Sequence, residues 1–135
     1  MKKIILDTNA YAGFLAGDKN VLASLGKAET VYMSVFVLGE IYAGIRGGTK
    51  EQKNKNILEK FLDKSTVLIL DATSETSEIF GHIKHQLRRN GTPLPINNVW
   101  IAAHAMETGA VIISYDIHFL KVPGIRVWDK LQQQV

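Results

Sequence analysis

Cysteine is missing from this sequence, which removes disulfide staples, thiolate metal sites and thiol nucleophiles from consideration. Any chemistry has to come from oxygen and nitrogen side chains, and a reducing compartment poses no problem. Proline is scarce, with only 3 residues, and Pro93 and Pro95 mark a single turn. No apolar run approaches the roughly 20 residues needed to cross a bilayer. Met1-Lys2-Lys3 followed by Ile4-Ile5-Leu6 resembles the charged start of an export signal, but Asp7 interrupts the apolar stretch too early. These absences predict a soluble, cytoplasmic protein with no membrane association. Neither sign of charge dominates: 16 Lys and Arg against 13 Asp and Glu leave a net +3, a mild lean toward an anionic partner such as nucleic acid.

What is present is enough for one core. The 135 residues, 46% of them hydrophobic, are expected to form a single domain over residues 1–135. Lys3 to Leu6 reads as a strand and Asn9 to Phe14 as a helix. Thr30 to Met33 reads as a second strand, after which Ser34 caps a helix whose apolar stripe is Leu38, Tyr42 and Ile45, stopped by Gly47-Gly48. Ile57, Leu58, Phe61 and Leu62 form a helical stripe within Thr49 to Lys64, and Thr66 to Leu70 reads as a buried strand. Thr73 to Arg89 is helical. A further helix is expected from about Asn97 to Glu107, closed by Gly109, then a strand at Val111 to Ser114 and an edge strand at Ile125 to Trp128. Strands alternating with helices predict a three-layer α/β/α sandwich with a mainly parallel central sheet.

In such a sheet ligands gather beyond the carboxyl ends of the strands. Four polar positions fall there: Asp7 closing the first strand, Glu40 in the helix after the second, Asn98 opening the helix after the proline turn, and Asp116 following the Val111 strand. Each alone has a plain account, as a helix cap, a solvated glutamate, a first-turn amide and a turn aspartate. Their joint placement is the signal. Clustered carboxylates repel one another, and a hard divalent cation such as Mg²⁺ or Mn²⁺ relieves that repulsion through oxygen ligands. The chemistry this suggests is metal-assisted phosphodiester hydrolysis.

Ile5-Leu6-Asp7-Thr8-Asn9, Ser34 to Glu40, Pro95-Ile96-Asn97-Asn98-Val99-Trp100-Ile101-Ala102-Ala103, and Ser114-Tyr115-Asp116 with Phe119 resemble, in order, the motifs of PIN domains. The terminal Val122-Pro123-Gly124-Ile125-Arg126-Val127 adds to the likeness, which is nearest to VapC-type toxins. The resemblance implies a ribonuclease acting as the toxin of a toxin–antitoxin pair, with Asp7, Glu40 and Asp116 where the family's metal-binding acids stand. It implies a homodimer and an antitoxin whose C-terminal segment covers the acidic site. Thr8, Asn9 and Ser114 match supporting polar positions. Asn98 departs from the pattern, because the family usually has aspartate there, and an amide brings no charge to a cation. Two readings stay open: a variant site that works with three carboxylates, or an impaired module that binds RNA or an antitoxin without cleaving.

Lys84, Arg88 and Arg89 end a helix, where the dipole favours cations, and are candidate RNA contacts. His82 and His85 share a helical face but lack a third ligand, and His104 and His118 read as structural. Other enzyme classes that begin with a strand ending in aspartate fit less well. Haloacid-dehalogenase phosphatases place a second acid where Asn9 stands, and no Gly-rich nucleotide loop occurs.

Overall fold

A computed structural model describes residues 2–132. Its centre is β1 (Lys3–Leu6), in which Ile4, Ile5 and Leu6 are all fully buried. A strand covered on both faces needs apolar side chains in succession rather than in alternation, which is the pattern here. On one side β1 pairs in parallel with β2 (Thr30–Ser34), which pairs with β3 (Val67–Leu70). On the other it pairs with β4 (Val111–Ile113), and that with β5 (Arg126–Val127). The order is β3-β2-β1-β4-β5, all parallel.

Parallel neighbours require crossovers, and helices supply them. They are α1 (Thr8–Leu15), α2 (Lys19–Lys27), α3 (Val35–Ile45), α4 (Glu51–Leu62), α5 (Ser74–Arg89), α6 (Ile96–Thr108) and α7 (Asp129–Gln132), with a short 3₁₀ turn at Ile117–Lys121. The result is the three-layer α/β/α arrangement expected. Gly109 closes α6 with a φ of 73°, a left-handed conformation that an L side chain resists.

Several local expectations need correction. The Thr66 to Leu70 run is not a buried strand: β3 lies at the sheet edge, and Leu68 and Ile69 are 51% and 52% exposed. Apolar content alone does not distinguish a centre strand from an edge strand that nothing covers. On α3 the buried residues are Val37, Leu38 and Ile41, while Tyr42 is exposed. The helix after the proline turn begins at Ile96 behind Pro95, so Asn97 lies inside its first turn and does not cap it. α2 had no counterpart in the sequence reading, although Asp18 caps it by accepting from the Asn20 and Val21 backbone N–H groups.

His104 ties α6 to the sheet. It is fully buried, with Nδ1 3.0 Å from Ser34 Oγ and Nε2 3.1 Å from the Asp71 carbonyl. Asp71 offers only a carbonyl oxygen, so Nε2–H donates to it, and Ser34 Oγ, which also accepts the Phe36 N–H as the α3 cap, is placed to donate its hydroxyl to Nδ1 when the ring is neutral. Burial pushes the imidazole below its ordinary 6.5, against upward pulls from the Asp71 carbonyl and the charges of Glu107 and Asp71. The folded state therefore disfavours protonation. The stability this contact contributes is complete above the ordinary value and declines as pH falls through it toward the lower folded one. Melts between ~pH 8 and ~pH 5 should show the parent losing stability on acidification and His104→Gln losing less, within that imidazole range. Parallel curves would refute it.

Candidate active site

The chain steps outward from β1 to β3 on one side and then returns to β4 on the other. The strand order thus reverses between β1 and β4, which is where an open parallel sheet forms a crevice. Asp7 and the turn that follows β4 flank that crevice. The Asp7 N–H donates to the Ile113 carbonyl at 3.1 Å, which fixes the end of one strand against the end of the other.

Asp7 stands in the cap position of α1, yet its side chain makes no capping hydrogen bond. It is only 7% exposed, and it accepts the Ser114 hydroxyl at 2.8 Å. Ser114 is fully buried and works in several directions. Its hydroxyl also lies 3.3 Å from Asn9 Oδ1, and its oxygen accepts the Asp116 N–H at 3.0 Å. Asn9 Oδ1 accepts the Tyr115 N–H at 3.2 Å, and Trp128 Nε1 donates to the Ser114 carbonyl at 2.7 Å. Tyr115 in turn donates its hydroxyl to Asp18 at 2.9 Å. The backbone of 114–116 is therefore held by α1, by the α2 cap and by a buried indole.

Asp116 spends one oxygen as a cap, Oδ1 accepting the His118 N–H at 3.0 Å with His118 Nδ1 2.8 Å away. Its Oδ2 accepts from Asn98 Nδ2 at 2.9 Å. Glu40 is exposed on α3 and accepts the Thr8 hydroxyl at 3.0 Å, one residue from Asp7. The fold thus brings all four sequence-selected positions to one end of the sheet, together with Thr8, Asn9 and Ser114. It does not bring Lys84, Arg88 and Arg89 into this network. They lie on α5, where Arg88 borders a small cleft with Leu94 and Val99, and Arg89 faces a different one with His82 and His85. Sequence reasoning gave no role to Trp128, Tyr115 or Asp18, and read His118 as a loop residue. A tryptophan at the end of a two-residue strand carries no local signal of the carbonyl it will meet.

Burial is the main reason that the Asp7 carboxyl sits above its ordinary pKa. Hydrogen bonds from Ser114 and the Thr8 backbone pull it down, and the charges of Glu40 and Asp116 push it further up. Negative charge converges here on a carboxylate already short of water. The donor set is all oxygen, which suits a hard divalent ion. Among the described residues no three carboxylate or imidazole side chains converge as a closed cage. Asp7 and Asp116, joined through Ser114, are two carboxylates at one strand-end crevice, and an Mg²⁺-like ion that keeps several of its waters takes one or two.

A family model described as "PIN domain" matches residues 4–125, a span that includes Asp7, Glu40, Asn98 and Asp116. The chain belongs to the PIN-domain family. It is 30% identical over 133 residues to Ribonuclease VapC2 of Rickettsia felis, covering 93% of this chain and 98% of that protein. It is likewise 30% identical to a tRNA(fMet)-specific endonuclease VapC of Shigella flexneri, over 96% and 98% of the two chains. Among solved structures, a DNA-bound VapBC from Salmonella typhimurium aligns with a TM-score of 0.82 at 26% identity, over 95% of this chain and 98% of that one. PIN-domain ribonucleases are generally metal-dependent, and the oxygen-only donor set of this PIN domain is consistent with that requirement. No helix among its described residues is long and apolar enough to cross a membrane.

Proposed function

We propose that this PIN domain is an endoribonuclease that hydrolyses RNA phosphodiester bonds with Mg²⁺ or Mn²⁺ and serves as the toxin of a toxin–antitoxin pair. The observation that carries the reading is the joining of Asp7 and Asp116 through Ser114 at the β1/β4 crevice, with Glu40 held by Thr8 one residue from Asp7 and the Asp7 carboxyl raised by burial and by the other two charges. Asp7 and Asp116 would hold the ion, with Glu40 beside them. A bound divalent ion supplies electrophilic stabilisation of the phosphoryl oxygens and acidifies water. The chain's own residues do the positioning. Ser114 orients Asp7 and the Asp116 backbone, and Thr8 turns Glu40 toward the site, where it is placed to accept a proton from the attacking water. Water adds to phosphorus as a bridging oxygen leaves.

A mixed RNA pool incubated with Mg²⁺ or Mn²⁺ should be cut, and chelator should stop the reaction. Cleavage that persists in chelator, or none with either ion, would overturn the reading. The VapBC neighbour supports an antitoxin partner; a homodimer is expected from the resemblance alone. A second reading, binding without cleavage, is favoured by Asn98, whose amide donates to Asp116 where an acid would share a cation.

Arg88 is exposed on α5 and borders a cleft with Val99, next to Asn98. If it and Arg89 touch RNA phosphates, replacing both by alanine makes the slope of log affinity against log salt shallower by about 1.4. Unchanged slopes and affinities would remove these two residues from the interface.

A further inference from the structure

A second cluster, outside the carboxylate network, has the chemistry of a nucleotide subsite. α3 carries Glu40, and further along it Tyr42, Ile45 and Arg46 face Glu51 and Lys55 of α4 across a cleft of about 260 Å³. Tyr42 is 38% exposed, an unusual place for a phenol on a helix whose neighbouring residues Leu38 and Ile41 are buried. Among the described residues neither Arg46 nor Lys55 forms an ion pair. The one carboxylate in the cleft, Glu51, accepts the Gly47 backbone N–H and keeps its charge. The cleft therefore carries a net single positive charge, with two cations that form no ion pair beside an exposed aromatic ring.

We infer that the α3–α4 cleft binds one nucleotide of single-stranded RNA, its base on Tyr42 and Ile45 and its phosphate between Arg46 and Lys55. This rests on the ribonuclease reading and adds a substrate contact to it. Unpaired bases stack on exposed aromatic rings, and unpaired cations take up backbone phosphate. The cleft is too small for a duplex. Its net positive charge and exposed ring suit a nucleotide, which carries an anionic phosphate and a flat base in one unit.

The test measures binding of a labelled mixed-sequence single-stranded RNA to the full chain carrying Asp7→Asn, so that no cutting intervenes. Adding Tyr42→Ala should weaken binding roughly tenfold with the salt dependence unchanged. Adding Arg46→Ala with Lys55→Ala should weaken it and make the salt slope shallower by about 1.4. All three side chains border solvent, and matching circular dichroism and melting curves establish that the variants fold. RNA affinity and slope equal to the parent's in both variants would overturn the inference and leave the cleft to a protein partner. Because binding is read without turnover, a parent that binds RNA through this cleft yet never cuts it would sink only the ribonuclease reading.

Discussion

Asp7→Asn should lower RNA cleavage roughly a hundredfold or more, because it removes the charge best placed to hold the divalent ion. The same change should make the metal-free protein more stable. The Asp7 carboxyl is raised above its ordinary value of 3.8, with burial the largest cause, so the fold disfavours the ionised form. A group raised in this way contributes its full stability below its unfolded pKa and loses it as pH rises through the folded one. At neutral pH the charged carboxylate is thus a liability that a neutral amide of the same shape removes. The asparagine oxygen still accepts the Ser114 hydroxyl, so the turn at 114–116 stays in place. Paired measurements decide the matter: end-mapped RNA cleavage, and thermal melts in chelator. Lost cleavage with a lower melt would show that Asp7 is a structural residue, and an unchanged melt would show that its repulsion is not a cost.

Asn98→Asp is expected to act in the opposite direction on both measurements. Asn98 Nδ2 now donates to Asp116 Oδ2 at 2.9 Å, supplying by hydrogen bond what a cation supplies by charge. Asn98 is only 9% exposed, so a carboxylate placed there would face Asp116 in a poorly hydrated spot. Two acids at that distance cannot both ionise freely, and without metal the variant should melt lower than the parent. Divalent ion should restore the melt, with apparent ion affinity raised about tenfold or more and cleavage raised with it. Equal ion dependence in both proteins would mean that Asn98 stands outside the ion's reach. A rise in ion affinity with no gain in cutting would favour the binding-only reading of the parent.

The sheet was largely legible, because buried parallel strands announce themselves as short apolar runs ending in a polar residue, as Ile4-Ile5-Leu6-Asp7 does. The cap of α3 at Ser34 was legible, whereas the side-chain cap of α2 at Asp18 was not. Less legible was anything decided by neighbours distant in sequence. β3 reads like a core strand, and its exposure follows only from its place last in the strand order. Tyr42 reads like a stripe residue, but the face that α3 buries carries Val37, Leu38 and Ile41 instead. At the site, the residue types and strand-end positions could be read directly. The bonds between them could not: Ser114 reaches Asp7 across 107 positions, and Trp128 closes on Ser114 after a turn of the chain that no local pattern encodes.

That long reach has a consequence for the order of events at the ribosome. β1 emerges before its partner β4, and the Ser114 hydroxyl that seats Asp7 follows 107 positions behind it. Pairings so distant in sequence form late and slowly. A nascent or truncated product that stops short of residue 114 therefore carries Asp7 and Glu40 without the scaffold that unites them, and the crevice is assembled only after residues 114–116 have emerged.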